Sequence, residues 1–134
     1  IRDRLLHERI LKPAGMKETY LMTPGSVPDD APRGLTAAGR EAEPWEMEGC
    51  PAAAGAVRST AHDMAAFAAW FMEHGDTSYG WQKNDDGKGF WHNGGTSGYS
   101  TMLIIDPKEN RAAFANNDSP AGTEDLAEAL FERI

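Results

Sequence analysis

Residues 90–107, Phe90 to Pro107, read FWHNGGTSGYSTMLIIDP. Aromatic and β-branched residues flank Gly94, Gly95 and Gly98, which predicts a strand, a glycine-rich turn and a second strand. Similar runs on either side extend the pattern: Tyr79–Lys83, Gly89–His92, Tyr99–Asp106 and Arg111–Asn116 are strand candidates. The DDGKG, GGTSG and PKEN segments between them carry the turn residues of an antiparallel meander. Such a sheet needs something to bury its apolar faces against, and the rest of the chain supplies helices.

Upstream, Thr60-Ala61-His62-Asp63 matches a capping box, with Asp63 expected to reach back to the first free amide. Met64, Phe67, Ala68 and Phe71 follow at helical spacing, and Gly75 is the expected stop. Ile1 to Leu11 carries a broader helical period, which Pro13 and Gly15 are expected to end. Downstream, Thr123 is expected to cap a last helix whose apolar face is Leu126, Leu130, Phe131 and Ile134. Thr23 to Gly55, residues 23–55, holds most of the prolines and no sustained period. It reads as an irregular connector, pinned by Trp45 and Met47. The order of elements indicates an α+β fold, an antiparallel β-meander packed with helices, in a single domain over residues 1–134. Open sheet edges remain, and one is expected to take a strand that this chain does not supply.

Composition narrows the function classes. The 134 residues carry a formal net charge of -8, and the scattered cations (Arg2, Arg4, Arg9, Lys12) argue against a nucleic-acid partner. The longest apolar run, Met64 to Met72, falls short of the roughly 20 residues a membrane helix needs. Cys50 is the single cysteine, so no internal disulfide forms. Its EGCPAAAG setting holds no His or Lys to lower its pKa, and it reads as a small loop or core residue. The start at Ile1, with no leader pattern, reads as the interior of a longer protein, which leaves the compartment open.

Most standard chemistries are absent. Gly95-Thr96-Ser97-Gly98-Tyr99 fails the Gly-x-Ser-x-Gly elbow at its last position, and no phosphate loop occurs. His7, His62, His74 and His92 form neither an i, i+4 pair nor a Cys-His set, so no metal and no cofactor is expected. His92 stands apart because it directly precedes Asn93-Gly94-Gly95-Thr96. On composition alone this is an ordinary hairpin with a polar rim. The functional reading is that glycines leave the backbone open to a substrate carbonyl, where a main-chain N–H contributes about 10²–10³ in rate.

The same residues resemble a known family. ILKPAGMKETYL from Ile10, GAVRSTAHDMAAF from Gly55, WHNGGTSGYSTMLIIDP from Trp91 and AAFANND from Ala112 are similar, in order, to segments of the C-terminal part of the serine β-lactamase-like family. That group includes class C β-lactamases, penicillin-binding DD-carboxypeptidases, D-aminopeptidases and related esterases. The resemblance implies the C-terminal part of a β-lactamase/transpeptidase-like fold, whose members often work outside the cytoplasm. Its third active-site motif, Lys-Thr-Gly or His-x-Gly, falls on His92-Asn93-Gly94. His92 would then support proton transfer, the Gly95 amide would be one oxyanion-hole donor, and Asn93, Gly94 and Thr96 would line the substrate groove. The histidine form points to a peptidase or esterase, with a small-molecule or peptide substrate.

Departures from the family pattern limit that reading. None of Ser26, Ser59, Ser78, Ser97, Ser100 or Ser119 has a lysine three residues on, so the Ser-x-x-Lys nucleophile is missing. Tyr-x-Asn is missing too, since Tyr20, Tyr79 and Tyr99 are followed at that offset by Met22, Trp81 and Thr101. The last helix opens with Thr123, Glu124 and Asp125, without the base that would hold a β-lactam carboxylate. The expectation is a C-terminal fragment of a serine hydrolase, inactive alone, whose partner is the N-terminal portion of the same fold. The alternative is a reduced, non-catalytic binding or assembly module.

Overall fold

A computed structural model describes residues 2–96 and 98–134; Ile1 and Ser97 lie outside the described residues. The N-terminal helical segment runs through α1 (Arg2–Leu6), a π-helical turn (His7–Leu11) and α2 (Lys12–Ala14). Pro13 therefore lies inside the helix that it was expected to end. The wider turn accounts for this: the Lys12 N–H reaches back to the His7 carbonyl, so the ladder is already loosened where the proline ring would clash. Gly15, with φ 73°, ends the segment.

β1 (Tyr20–Leu21) pairs antiparallel with β2 (Val57–Arg58), which follows the short helix α3 (Pro51–Gly55). Between them the connector folds back on itself in a small hairpin bridged at Leu35 and Glu41. Met47 pins the connector as expected, half-buried and donating its N–H to the Met22 carbonyl at 2.9 Å. Trp45 does not, being 47% exposed.

α4 (Ala61–His74) precedes a four-stranded antiparallel sheet of β3 (Gln82–Lys83), β4 (Phe90–Thr96), β5 (Tyr99–Asp106) and β6 (Arg111–Asn117), in that spatial order. α5 (Glu124–Phe131) closes the chain. The fold is thus α+β with an antiparallel meander. Side chains alternate across the sheet, so each face builds its own core. Met102, Ile104, Ala113 and Ala115 pack with Ala127 and Phe131 of α5. Leu103 and Ile105 pack with Ala68, Phe67 and Phe71 of α4.

Several elements differ from their sequence expectation. Gly94, Gly95 and Thr96 belong to β4 and pair with Thr101, Ser100 and Tyr99, so the glycine-rich stretch is mostly strand and the turn is confined to its end. The strand expected over Tyr79–Lys83 shrinks to Gln82–Lys83, because Gly80 has φ 76° and breaks the extended run. On α5 the buried positions are Ala127 and Phe131, while Leu126, Leu130 and Ile134 are exposed. A small alanine lets the helix approach the sheet more closely than leucines would. No helix among the described residues is long and apolar enough to cross a membrane.

Candidate active site

β3 pairs only with Phe90 and Trp91, so the outer edge of β4 from His92 to Thr96 has no partner strand among the described residues. His92, Asn93, Gly94 and Gly95 are exposed and Thr96 is half-buried. Strand alternation splits the predicted site residues between two faces. His92, Gly94 and Thr96 lie opposite Leu103, Thr101 and Tyr99, on the α4 side; Asn93 and Gly95 lie opposite Met102 and Ser100, on the α5 side.

The two glycines have different reasons to be there. A Cβ on Gly94 would sit 3.2 Å from the Thr101 hydroxyl, a tight fit. A Cβ on Gly95 would meet nothing closer than 3.9 Å, and its φ is not positive. Packing within the fold does not call for glycine at Gly95.

On the α5 side, the Asn93 amide donates to the Glu124 carboxylate, Nδ2 to Oε1, at 3.1 Å. This bond foremost, with the Glu124 and Thr123 N–H groups, holds the Glu124 carboxyl below the usual range. The Ser100 hydroxyl donates to the Ala121 carbonyl. Thr123, expected as the cap, makes no side-chain cap bond, and its buried hydroxyl has no partner. Sequence inspection registered Glu124 only as the lack of a base.

The β4–β5 turn is clasped by the connector. Gly34 and Gly98 approach backbone to backbone, so that a Cβ on Gly34 would overlap the Gly98 carbonyl and one on Gly98 would lie 2.8 Å from the Ala42 Cβ. Beside them the Tyr99 hydroxyl donates to the Pro32 carbonyl, the Leu35 N–H to the Asp118 carbonyl at 2.6 Å, and Arg58 lies 3.7 Å over the Tyr99 ring.

Asp63 is the other buried anchor. Instead of closing a capping box, its carboxylate turns away from the helix and accepts from the Glu18 N–H at 2.8 Å and the Thr19 hydroxyl at 2.7 Å. Only the Thr60 half of the box forms, its hydroxyl accepting from the Asp63 N–H at 3.2 Å. Burial pushes the Asp63 carboxyl up, but the bonds from Thr19, Glu18 and Lys17 outweigh it and hold the group below the usual range. The segments at Ile10 and Gly55 meet at this carboxylate, and the Gly55 segment reaches the Trp91 segment where Arg58 stacks on Tyr99.

Glu18, His62 and Asp63 bring potential metal-ligand atoms within 4.8 Å of one another. The carboxylate's protein bonds and the positive end of α4 both oppose a cation there. A depression of about 510 Å³ lies against the connector hairpin, lined by Thr36, Arg40, Glu41, Ala42, Glu43 and Trp45. It adjoins the β4–β5 turn through Ala42.

A family model described as Beta-lactamase matches residues 2–131. The chain belongs to the β-lactamase family. Its fold is accordingly that of a serine hydrolase, and the segments read from the sequence fall within the matched residues. No curated protein matches this β-lactamase-family chain.

Proposed function

We propose that the β4 edge is one wall of an acyl-transfer site in a serine hydrolase of peptidase or esterase type, rather than of a true β-lactamase. The observation that carries this reading is the edge at His92–Thr96, exposed from His92 to Gly95 and without a partner strand among the described residues, with a glycine at Gly95 that the fold's own packing does not require. A substrate carbonyl approaching that backbone supplies the missing reason. His92 supports proton transfer, the Gly95 amide stabilises the oxyanion, and Asn93, Gly94 and Thr96 flank the bound acyl compound. The serine and its lysine base come from the N-terminal portion of the fold, in polypeptide outside these 134 residues. There the serine oxygen adds to the carbonyl carbon and the leaving group departs with a proton. Water then hydrolyses the serine ester and restores the hydroxyl.

The chain by itself is expected to leave nitrophenyl esters and nitrocefin intact and to take up no fluorescent penicillin. Covalent labelling of any of its serines overturns the reading. In a polypeptide that also carries a Ser-x-x-Lys segment, ester hydrolysis is expected, and His92→Ala should lower it by about 10²–10⁴. Hydrolysis indifferent to His92→Ala removes that residue from the site.

A further inference from the structure

We propose that Glu124, held by Asn93, selects the charge of the substrate: this end of the β4 edge accepts an ammonium-bearing group and turns away a carboxylate. The inference rests on the acyl-transfer reading and deepens it. Consider which hydrogen-bonding capacity is left on the α5 side of the edge. The Asn93 Nδ2 is engaged with Glu124 at 3.1 Å, and the Ser100 hydroxyl is engaged with the Ala121 carbonyl. Each of these groups has one donor hydrogen engaged, and the Asn93 Oδ1 and the Glu124 carboxylate keep acceptor capacity beside them. A positive charge on a ligand is therefore attracted to Glu124 here, and a carboxylate is repelled by it.

The fixed charge agrees. Neither Phe90–Thr96 nor Glu124–Phe131 contains a Lys or Arg, and α5 begins with Glu124 and Asp125. The first turn of a helix offsets about half an elementary charge, so two carboxylates leave the position negative. Glu124 also folds back over Gly122, where a Cβ would overlap its Oε2, so the glycine leaves room for the carboxylate beside Asn93.

The test compares three acetyl esters in the polypeptide that carries the nucleophile: the choline ester, its uncharged 3,3-dimethylbutyl isostere and the smaller carboxymethyl ester. The choline ester is expected to exceed the carboxymethyl ester in kcat/KM by about tenfold or more, Glu124→Gln to reduce that ratio about tenfold, and Glu124→Lys to invert it. A purely structural helix-capping role would alter stability without altering the ratio between charges. Turnover of these esters with a ratio unchanged in Glu124→Gln overturns the charge selection and leaves the acyl-transfer reading standing. Without turnover of any ester, the acyl-transfer reading is what fails. A second measurement needs no turnover. In the chain itself, choline at up to about 100 mM should shift the Asn93 side-chain amide resonance where acetate does not, the high concentration reflecting the weakness of an exposed charge contact. Glu124→Gln, checked as folded by circular dichroism, should abolish the shift. Its absence in the unsubstituted chain overturns the assignment.

Discussion

The first turns of α4 and α5 are built from the same residue types and put them to opposite uses. In α4, Thr60 caps the helix and Asp63 turns away to hold the loop at Glu18 and Thr19. In α5, Thr123 caps nothing, while Glu124 supports its own helix end and holds Asn93. Asp63 is 1% exposed and carries several partners, so it acts as a structural bolt. Glu124 is half-buried beside an open strand edge, so it is available to a ligand. A helix N-terminus leaves four N–H groups open; Thr60 and Asp63 divide capping and tertiary contact between them, whereas Glu124 combines the two.

Substitutions can break this contrast. The largest effect is expected at Asp63: Asp63→Ala leaves the Glu18 N–H and Thr19 hydroxyl without their acceptor and should cost about 3 kcal/mol in urea denaturation. Because the folded Asp63 pKa is lowered, its contribution is present above the unfolded value of about 3.9 and is lost as pH falls through the folded one. Asp63→Asn should therefore flatten the acid limb of the stability profile below about pH 4. Next comes the glycine clasp. Gly98→Ala should cost about 2 kcal/mol through overlap with Ala42 and Gly34, whereas Gly95→Ala should stay within about 0.5 kcal/mol. Equal costs at the two positions would mean that Gly95 is structural after all. The smallest pair tests the caps directly. Thr60→Val should destabilise by about 1 kcal/mol, and Thr123→Val should be neutral or stabilising by up to about 1 kcal/mol, since its hydroxyl is buried without a partner. Thermal melts of the two variants would show opposite signs.

What the sequence disclosed follows the reach of each signal. The meander and α4 were legible because alternation and the Met64, Phe67, Ala68, Phe71 period are local. The α5 face was legible only at Phe131, which is buried as expected; Ala127 is buried beside it in place of Leu126 and Leu130, and helical spacing does not say which stripe meets the sheet. Pro13 was misplaced because no residue type in His7–Leu11 announces the π turn in which the Lys12 N–H bonds the His7 carbonyl. The edge at His92–Thr96 was found through its glycines, but its division between two faces depends on register. Glu124 was missed because its partner, Asn93, lies 31 residues away.

The contact between Gly34 and Gly98 bears on the order in which the molecule assembles. It joins segments that are far apart in the chain, as the neighbouring Tyr99–Pro32 bond spans 67 residues, and two glycines add little apolar area to offset the closure of so long a loop. The hairpin at Leu35 and Glu41 should therefore settle onto a sheet that has already formed and lift from it again while the sheet stays intact. Amide hydrogen exchange should record this as early loss of protection at Leu35 and Ala42, against slow exchange at Leu103 and Ile104 in the centre of β5.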